Sequence, residues 1–482
     1  MTPTPKPSSS ERFPRGTVTR YAAGSLGTGG FATLPGLVLV YYLTDTLGVA
    51  ALVAGLIVTG AKVWDVLIDP VIGGLSDRSL ARSGSRRGPM LLGAVGLPIA
   101  FALTFAVPTG LPTWAGALWV LIAFVAAATF FSLFQVPYIA LPAELTDGYR
   151  ERTRLLTWRV VVLTLAILLF GAGGPEIRGM FPGDAPLGYL VMAVVAAVLI
   201  GAGLWIASTV APRGPAAPTA ASSRVLSLSH YREGLAVLRE SQPFRALLGA
   251  FVLQALATGL MLAGAQFVAT WVLRDEGAVT VLFAALIAPA LLVAPLWRRV
   301  ADRIGKERGW RIASLTFMLA AVALIAMVWA PGWWVVVPVG LAGAAYAGMQ
   351  TLPMAMLPDV IAYHRGERAG VFGGVWTAGE TSGMALGSTA LTLVLAVTGY
   401  IESTAGVTVE QPGSAVTGIA LAFSLVPAVL MLLSLVALQR YRLREHDLAQ
   451  SPAPDLKDDP EPGAGFAARP EAAPDSEQEG PR

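Results

Sequence analysis

The stretch KVWDVLIDPVIGGLSDRSLARSGSRRG, residues 62–88, begins with three charged side chains inside a long apolar run. The run starts near Gly48, so Lys62, Asp65 and Asp69 lie where a membrane-spanning helix would meet lipid. One ionised side chain at a bilayer centre costs roughly 2.5–3.5 kcal/mol on insertion scales. Such residues usually face a bundle interior or a watery cavity, so the stretch predicts a spanning helix with a polar inner face.

Asp65 and Asp69 are four residues apart, so a helix places both on one face, about 6 Å apart along its axis. Two close carboxylates oppose each other's ionisation, and a bound cation or a shared proton relieves this repulsion. The pair therefore predicts the coupling-ion site of a transporter. Two structural alternatives stay open: Lys62 pairs with an aspartate only to lock the helix, or both aspartates serve packing alone.

The composition supports a membrane protein that crosses the bilayer many times. The chain has 482 residues, of which 55% are hydrophobic and only 13% are charged, whereas a soluble protein carries roughly 25% charged residues. Cysteine is absent, which excludes disulfides and thiolate metal sites. The basic residues lie in loops between apolar spans, so the positive net charge does not indicate nucleic-acid binding.

Twelve apolar runs of about 20 residues follow one another along the chain. Their approximate bounds are Tyr21–Tyr42, Gly48–Leu75, Met90–Val107, Trp114–Leu141, Leu155–Gly174, Leu187–Val210, Phe244–Leu273, Val279–Trp297, Ile312–Ala330, Trp334–Ala362, Val371–Thr398 and Val416–Leu438. The fold class is therefore an all-α membrane protein with twelve transmembrane helices in two six-helix bundles. The stretch GGLSDRSLARSGSRRG, residues 73–88, is predicted to be a short basic loop just past the end of the second span.

A long polar stretch separates six spans from six. The predicted organisation is an N-terminal segment 1–16, a first bundle 17–211, a middle loop 212–243, a second bundle 244–440 and a tail 441–482. Within the middle loop, Tyr231–Arg239 is predicted to form a short amphipathic helix on the membrane surface. The tail is rich in Pro, Asp and Glu and is expected to be disordered.

The distribution of Lys and Arg predicts the topology. Alternate loops carry the basic residues, namely Arg78, Arg82, Arg86, Arg87, Arg150, Arg152, Arg154, Arg298, Arg299, Arg303, Lys306 and Arg308. The loops on the opposite side hold only Arg178 and Arg274. Both termini are therefore expected in the cytoplasm, with the protein in a plasma membrane or a bacterial inner membrane.

The two halves also resemble each other in sequence. GGLSDRSLAR after span two matches RRVADRIGKER after span eight, each with Asp-Arg at a helix end. Such a repeat implies two parallel halves that rock about a central site. Asp77 and Asp302, with Arg78 and Arg303, are candidate gating residues, as is Lys62. The alternative is a purely structural role, in which the two aspartates only cap a helix end and fix a loop.

Several segments resemble a known family. They are GGLSDR at Gly73–Arg78, WDVLIDP at Trp64–Pro70, YYLTDTLGV at Tyr41–Val49, VPYIALPAEL at Val136–Leu145, RERTRLLTWR at Arg150–Arg159 and LPDVIAYHRGERAGVFGGVWTAGETSG at Leu357–Gly383. The chain resembles the major facilitator superfamily, and within it the glycoside–pentoside–hexuronide:cation symporter branch typified by melibiose permease. The W-D-x-x-x-D-P motif is specific to that branch, whereas the Asp-Arg loop marks only the superfamily.

The resemblance implies roles for particular residues. Asp65 and Asp69 match the two carboxylates that bind the coupling cation in this family, and Ser132 would add a hydroxyl from span four. An asparagine of the family is Ile68 here, which removes one oxygen ligand. Sodium prefers several hard oxygen ligands, so this loss favours proton coupling. Arg159 matches an arginine near the sugar site.

The sugar-binding carboxylates of the family are missing from this chain. The aspartate of span one falls at Gly29 or Gly30, and that of span four falls at Gln135. The lysine of span eleven falls at Thr381, and nearby Glu380 has no family equivalent. Galactoside recognition by two carboxylates is therefore not expected. The branch also resembles a lysophospholipid symporter group, so a larger, amphipathic substrate is an alternative.

Further substrate-binding candidates lie in spans ten and eleven. Glu380 would bind an amine or hydroxyls, carry a proton, or pair with Arg159 across a cavity; alternatively it satisfies a neighbouring polar group. Trp376, one turn away, would stack on a sugar ring or an apolar tail, or would only pack. Gln350 occupies a position where the family has an aromatic cavity residue, and its amide would bind hydroxyls or a neighbouring helix.

The sequence thus predicts a monomeric secondary transporter, a sodium- or proton-coupled symporter of a glycoside or similar small solute by alternating access. The alternative in the same class is a proton-coupled carrier or exporter of lipid-like compounds, and that in another class is a non-transporting sensor or scaffold. No nucleophile–base pair or phosphate loop indicates an enzyme. The coupling cation is the only cofactor expected, and a sodium ion at Asp65 and Asp69 the only metal.

Overall fold

The computed structural model describes residues 14–145, 149–212, 235–364, 369–407, 409–441 and 443. Twelve helical stretches in these residues are long and apolar enough to cross a membrane. The predicted fold class, an all-α protein with twelve spans, is confirmed. Hydrogen bonding within each helix satisfies its backbone, which the hydrocarbon interior of a bilayer requires.

The first bundle contains six helices. They are α1 (Arg15–Asp45), α2 (Ala51–Ser83), α3 (Arg87–Thr104), α4 (Thr113–Leu145), α5 (Tyr149–Gly179) and α6 (Ala185–Ser208). Helices α1 and α5 pack along each other, and α2, α3 and α6 complete the bundle around α4 and α1. A short helical segment, 235–240, precedes the second bundle.

The second bundle also supplies six spans. Its helices are α7 (Gln242–Phe267), α8 (Ala278–Ile304), α9 (Lys306–Leu324), α10 (Val336–Tyr363), α11 (Ala369–Val397), α12 (Gly413–Phe423) and α13 (Leu425–Leu438). A π-helical turn, Val268–Val272, continues α7, and a 3-10 turn, Ile325–Val328, continues α9. Helices α12 and α13 meet at Ser424 and together make one span.

Helix α2 is longer than the sequence suggested, and the expectation of a loop directly after Leu75 is wrong. The helix continues to Ser83 and ends at Gly84, whose φ of 64° is the left-handed conformation that closes many helices. No glycine or proline interrupts residues 75–83, so the polar residues there follow the helix out of the membrane. Asp77 and Arg78 therefore lie within α2.

Part of the chain that the sequence assigned to loops and tails lies outside the described residues. The amphipathic helix expected at Tyr231–Arg239 is described only from residue 235, and residues 235–240 are helical. Residues 1–13 and 444–482 also lie outside, so the expected disorder of the tail stays a prediction.

Glycines bring several helices of the second bundle into backbone contact. A methyl group at Gly343 of α10 would lie 2.0 Å from the carbonyl oxygen of Leu286 in α8. Similarly, a methyl group at Gly259 of α7 would lie 2.4 Å from the carbonyl oxygen of Met384 in α11. Small residues at these positions allow the close packing that holds membrane helices together.

Replacing Gly343 with alanine should destabilise the second bundle, because backbone atoms, unlike a flexible side chain, cannot move aside. We expect a loss of about 1–3 kcal/mol, the usual effect of overpacking, seen as a lower midpoint of thermal unfolding in detergent. Gly340→Ala is the matched control on the same helix, since a methyl group there would meet its nearest atom at 3.7 Å. Equal midpoints for the two variants would contradict this packing.

The two bundles contact each other near one membrane face. We call the face where α1 begins and α13 ends the terminal face, and the opposite face the distal face. The polar contacts that join described residues of the two bundles lie in the distal half of the helices, from Thr59–Thr389 outward to Asp45–Tyr400. Among the residues that the structure describes, no hydrogen bond or ion pair joins the terminal halves of the two bundles, and we infer that the cleft between the bundles opens towards the terminal face.

Candidate functional site

The predicted cation-binding residues lie together at the contact between α2 and α4. The Ser132 hydroxyl donates a hydrogen bond to Oδ1 of Asp65 over 2.8 Å. Both residues are buried, and Asp65 is only 7% exposed. Oδ2 of the same carboxylate lies 3.9 Å from the Lys62 ammonium. A buried carboxylate, a hydroxyl and an ammonium thus share one small region of the first bundle.

Asp69 is half-buried one helical turn further along α2, within electrostatic range of Asp65 and Lys62. Carboxylate and hydroxyl oxygens are hard ligands that suit sodium, and the same carboxylates can hold a proton. Asp65, Asp69 and Ser132 therefore fit either coupling ion. Ile68, between the two aspartates, adds no oxygen to this set.

Lys62 forms the internal pair that the sequence allowed. Besides its contact with Asp65, its ammonium lies 5.7 Å from the centre of the Phe31 ring on α1. The first bundle thus holds Lys62 on both sides. Its expected part in gating stays a prediction.

Two of the predicted substrate-binding residues lie near this region, on α4 and α5. Gln135 is one turn beyond Ser132 on α4, and its side-chain oxygen is buried without a hydrogen-bond partner. The Arg159 guanidinium lies 5.2 Å from the ring centre of Tyr138, a cation–π contact. Tyr138 was not expected from the sequence; it is fully buried, and its hydroxyl donates to the Tyr21 carbonyl over 2.8 Å, so it anchors Arg159 from within the first bundle.

Gly29 and Gly30 pack directly against α5. A methyl group at Gly29 would lie 2.9 Å from Ala166, and one at Gly30 would lie 2.6 Å from the Phe170 ring. Neither position has room for the aspartate that, according to the resemblance, other members of the branch have there. The missing aspartate is therefore replaced by a helix contact.

The remaining substrate-binding candidates lie in the second bundle. Gln350 donates a hydrogen bond to the Tyr346 hydroxyl over 2.6 Å. Both residues line a cavity of about 10 Å³ together with Glu380, and this volume holds about one water molecule. Thr381, next to Glu380, is half-buried. The described residues show no hydrogen bond or ion pair joining this cluster to Asp65 or Arg159.

Two interpretations of these residues need correction. Trp376 is 2% exposed and its ring stacks on Phe251 at 4.3 Å, so it packs within the second bundle and cannot contact a solute in this conformation. The ion pairs among the described residues do not include one between Glu380 and Arg159. The two side chains belong to different bundles.

Asp77, a candidate gating residue, pairs within its own bundle. Its carboxylate lies 2.7 Å from the Arg86 guanidinium, which also contacts Glu144 at the end of α4 and donates to the Ser76 hydroxyl. Arg78 is exposed and has no ion pair in the part of the chain that is described. In this conformation Asp77 therefore holds the α2–α3 loop through Arg86, which itself reaches α4; this was the structural alternative.

The second bundle contains the matching contact, but at different residues from those expected. Asp302 and Arg303 are exposed, whereas the Lys306 ammonium lies 2.7 Å from the Asp359 carboxylate at the end of α10. Glu144 and Asp359 were missed as partners. The signal was present, because each follows a proline at the same end of corresponding helices, in LPAEL and in LPDV.

Comparison with known proteins identifies the family. The model of the MFS/sugar transport protein family matches residues 20–445. The glucuronide carrier protein homolog of Escherichia coli is 25% identical over 441 residues, which cover 89% of this chain and 93% of the relative. The mouse sodium-dependent lysophosphatidylcholine symporter 1 is 26% identical over 359 residues, which cover 68% of this chain and 66% of the relative.

The solved structures agree with the fold. A D-xylose-proton symporter superposes with a TM-score of 0.65 at 14% identity, covering 89% of this chain and 98% of that one. The fold and the family together indicate a transporter and not an enzyme. With twelve spans in two bundles and the W-D-x-x-x-D-P motif on α2, the chain belongs to the MFS/sugar transport protein family, in the glycoside–pentoside–hexuronide:cation branch of the major facilitator superfamily.

Proposed function

We propose that the protein is a monomeric cation-coupled symporter that moves a glycoside or similar small organic solute by alternating access. The observation that carries this proposal is the buried Asp65 carboxylate, which accepts the Ser132 hydroxyl and has Asp69 one turn away. Burying a charge costs free energy, so a carboxylate retained inside a membrane helix marks a functional site. A cation or proton bound there neutralises the site, so that the loaded carrier can close over it.

The proposed orientation places the terminal face in the cytoplasm of a plasma or bacterial inner membrane. The support is the excess of Lys and Arg in the loops on that face. With this orientation, the structure corresponds to the state open to the cytoplasm. The solute would bind in the cleft between Gln135 and Arg159 on one side and Gln350 and Glu380 on the other.

An acidic glycoside is the substrate class we favour. Arg159 supplies a positive charge near the cleft, and the orphaned oxygen of Gln135 can accept a hydrogen bond from a hydroxyl. Gly29 and Gly30 leave no carboxylate that would repel an acid. The glucuronide carrier homolog is a relative over most of the chain.

Uptake into right-side-out membrane vesicles tests this function. We expect radiolabelled phenyl β-glucuronide to accumulate when an inward sodium or proton gradient is imposed, and accumulation to stop when an ionophore removes that gradient. A neutral phenyl β-glucoside is the matched control, because it differs from the glucuronide only at C6, where it lacks the acid, and we expect little uptake of it. Equal, gradient-independent binding of both compounds would contradict symport and favour a sensor.

Transport of a lysophospholipid is the second candidate. It is favoured by the loss of the sugar carboxylates and by the similarity to the mouse lysophosphatidylcholine symporter. Arg159 would then bind the phosphate of the head group in place of an acidic sugar. Sodium-dependent uptake of lysophosphatidylcholine, without uptake of the glucuronide, would establish this candidate in place of the first.

A further inference from the structure

A short backbone pairing joins the two bundles at the distal face. The loop between α1 and α2 meets the loop between α11 and α12, and Leu47 and Thr404 form an antiparallel bridge. The Ser403 amide donates to the Thr44 carbonyl, and the Ala405 amide donates to the Thr46 carbonyl, each over 3.1 Å. One loop from each half of the protein thus takes part in the same pairing.

A half-buried carboxylate lies directly beneath this bridge. Asp45 ends α1, and its Oδ1 accepts a hydrogen bond of 2.5 Å from the Tyr400 hydroxyl of the other bundle. The Trp271 indole donates to the same hydroxyl over 2.9 Å and so orients it. This hydrogen bond joins the end of α1 to the loop between α11 and α12, in the same cavity as the Arg178–Glu276 ion pair, which also joins the two bundles.

A second carboxylate, on the loop between α11 and α12, holds the start of α2. The Glu402 side chain accepts a hydrogen bond from the Ala51 amide over 2.8 Å. Ala51 begins α2, where unpaired amides and the helix dipole favour a negative charge. The second bundle therefore supplies the helix cap of the very helix that carries Asp65 and Asp69.

A cavity large enough to hold water lies beside these contacts. A cavity of about 700 Å³ lies between the bundles on that side, and Asp45, Tyr41, Arg178, Trp271 and Glu276 are among the residues that line it. Solvent can therefore replace the hydrogen bonds when the bundles separate. Such reversible hydrogen bonds are typical of a gate, whereas the contacts of a packed core stay formed.

We propose that Asp45 and Tyr400, with the paired residues Leu47 and Thr404, form a distal latch that holds this face closed and opens once in every transport cycle. The inference rests on the proposed alternating access. Both contacts of the latch join one bundle to the other, so a state open to the distal face cannot keep them. Nothing in the proposed solute or cation site is part of the latch.

Removing the Tyr400 hydroxyl tests the latch without any substrate. The chain has no cysteine, so Thr392→Cys introduces a single thiol, at a fully buried position on α11 that faces Gly55 of α2. In purified protein in detergent, Tyr400→Phe should speed the reaction of this thiol with a water-soluble maleimide by roughly tenfold, the shift expected from losing one hydrogen bond between the bundles.

Tyr42→Phe is the matched control. It removes the same group from another buried tyrosine, but the Tyr42 hydroxyl donates to the Phe105 carbonyl over 3.3 Å within the first bundle. When Tyr42→Phe is combined with Thr392→Cys, the thiol should react at the same rate as in Thr392→Cys alone, within about twofold. Equal rates for Tyr400→Phe and Tyr42→Phe would overturn the role of the hydroxyl.

A disulfide at the bridge provides the second test and does not depend on the stability of Tyr400→Phe. Paired residues in antiparallel strands lie roughly 4.5–5.5 Å apart at Cα, within disulfide range. Oxidation of the double variant Leu47→Cys, Thr404→Cys should stop uptake of radiolabelled phenyl β-glucuronide into vesicles, and a reductant should restore that uptake. Each single variant should be insensitive to oxidant. Full uptake by the cross-linked protein would refute the latch while leaving the proposed symport intact.

Discussion

Asp65→Asn should abolish gradient-driven uptake, with a loss of about 100-fold or more. The substitution keeps the shape of the side chain but removes the charge that a cation would neutralise, and losing a buried charged partner costs several kcal/mol. It also leaves the Lys62 ammonium, 3.9 Å away, without its counter-charge. Asp65 is buried and accepts a hydrogen bond from Ser132, so water cannot take the place of its carboxylate as a ligand of the cation.

The measurement combines uptake with thermal stability. In wild-type protein, titration with sodium or protons should raise the unfolding midpoint, as any ligand of the folded state does, and Asp65→Asn should remove this response. Asp184→Asn is the matched control, because Asp184 is exposed and caps α6, where asparagine caps equally well. Ser132→Ala should weaken the cation response without abolishing it. Coupled uptake that survives in Asp65→Asn would exclude the proposed cation site.

Arg86→Ala should destabilise the first bundle strongly, because it removes one cation that two carboxylates share. The Arg86 side chain is 12% exposed and contacts both Asp77 and Glu144. Burial alone would lower the pKa of its guanidinium, but hydrogen bonds and attraction from these two carboxylates raise that pKa above its ordinary value. The guanidinium therefore stays charged at all physiological pH, and its removal leaves the Glu144 carboxylate half-buried without a partner. We expect a loss of about 2–4 kcal/mol.

Lys306→Ala is the matched comparison in the second bundle. It breaks the corresponding contact with Asp359, but the Lys306 side chain is 42% exposed, and an exposed ion pair contributes only about 0.2–1 kcal/mol. Thermal unfolding midpoints in detergent should therefore fall clearly for Arg86→Ala and little for Lys306→Ala. Arg86→Lys, which keeps the charge but not the forked contact with two carboxylates, should lie between. Equal losses in the two bundles would show that burial does not decide the strength of these ion pairs.

Several features followed from the sequence because their causes are local or act on the chain as a whole. Apolar runs of about twenty residues indicate helices that span a bilayer. The four-residue separation of Asp65 and Asp69 places both side chains on one face of a helix. The branch motif also led to Ser132, which the structure places against Asp65. The residues of the proposed cation site could therefore be named from the sequence, although their ion binding stays a prediction.

Other features depended on which helices meet. Trp376 looked like a cavity residue from its distance to Glu380 along the chain, but Phe251 of another helix covers its ring. Glu144 and Asp359 gained their roles only when α3 and α9 brought basic residues to them. Asp45 and Tyr400 are 355 residues apart, and no local pattern links them.

The number of spans and the polar face of α2 follow from the sequence, because hydropathy and residue spacing are properties of single helices. Which polar side chains are paired, and on which side the two bundles meet, depends on contacts between helices distant in the chain, so these features are seen only in the assembled fold.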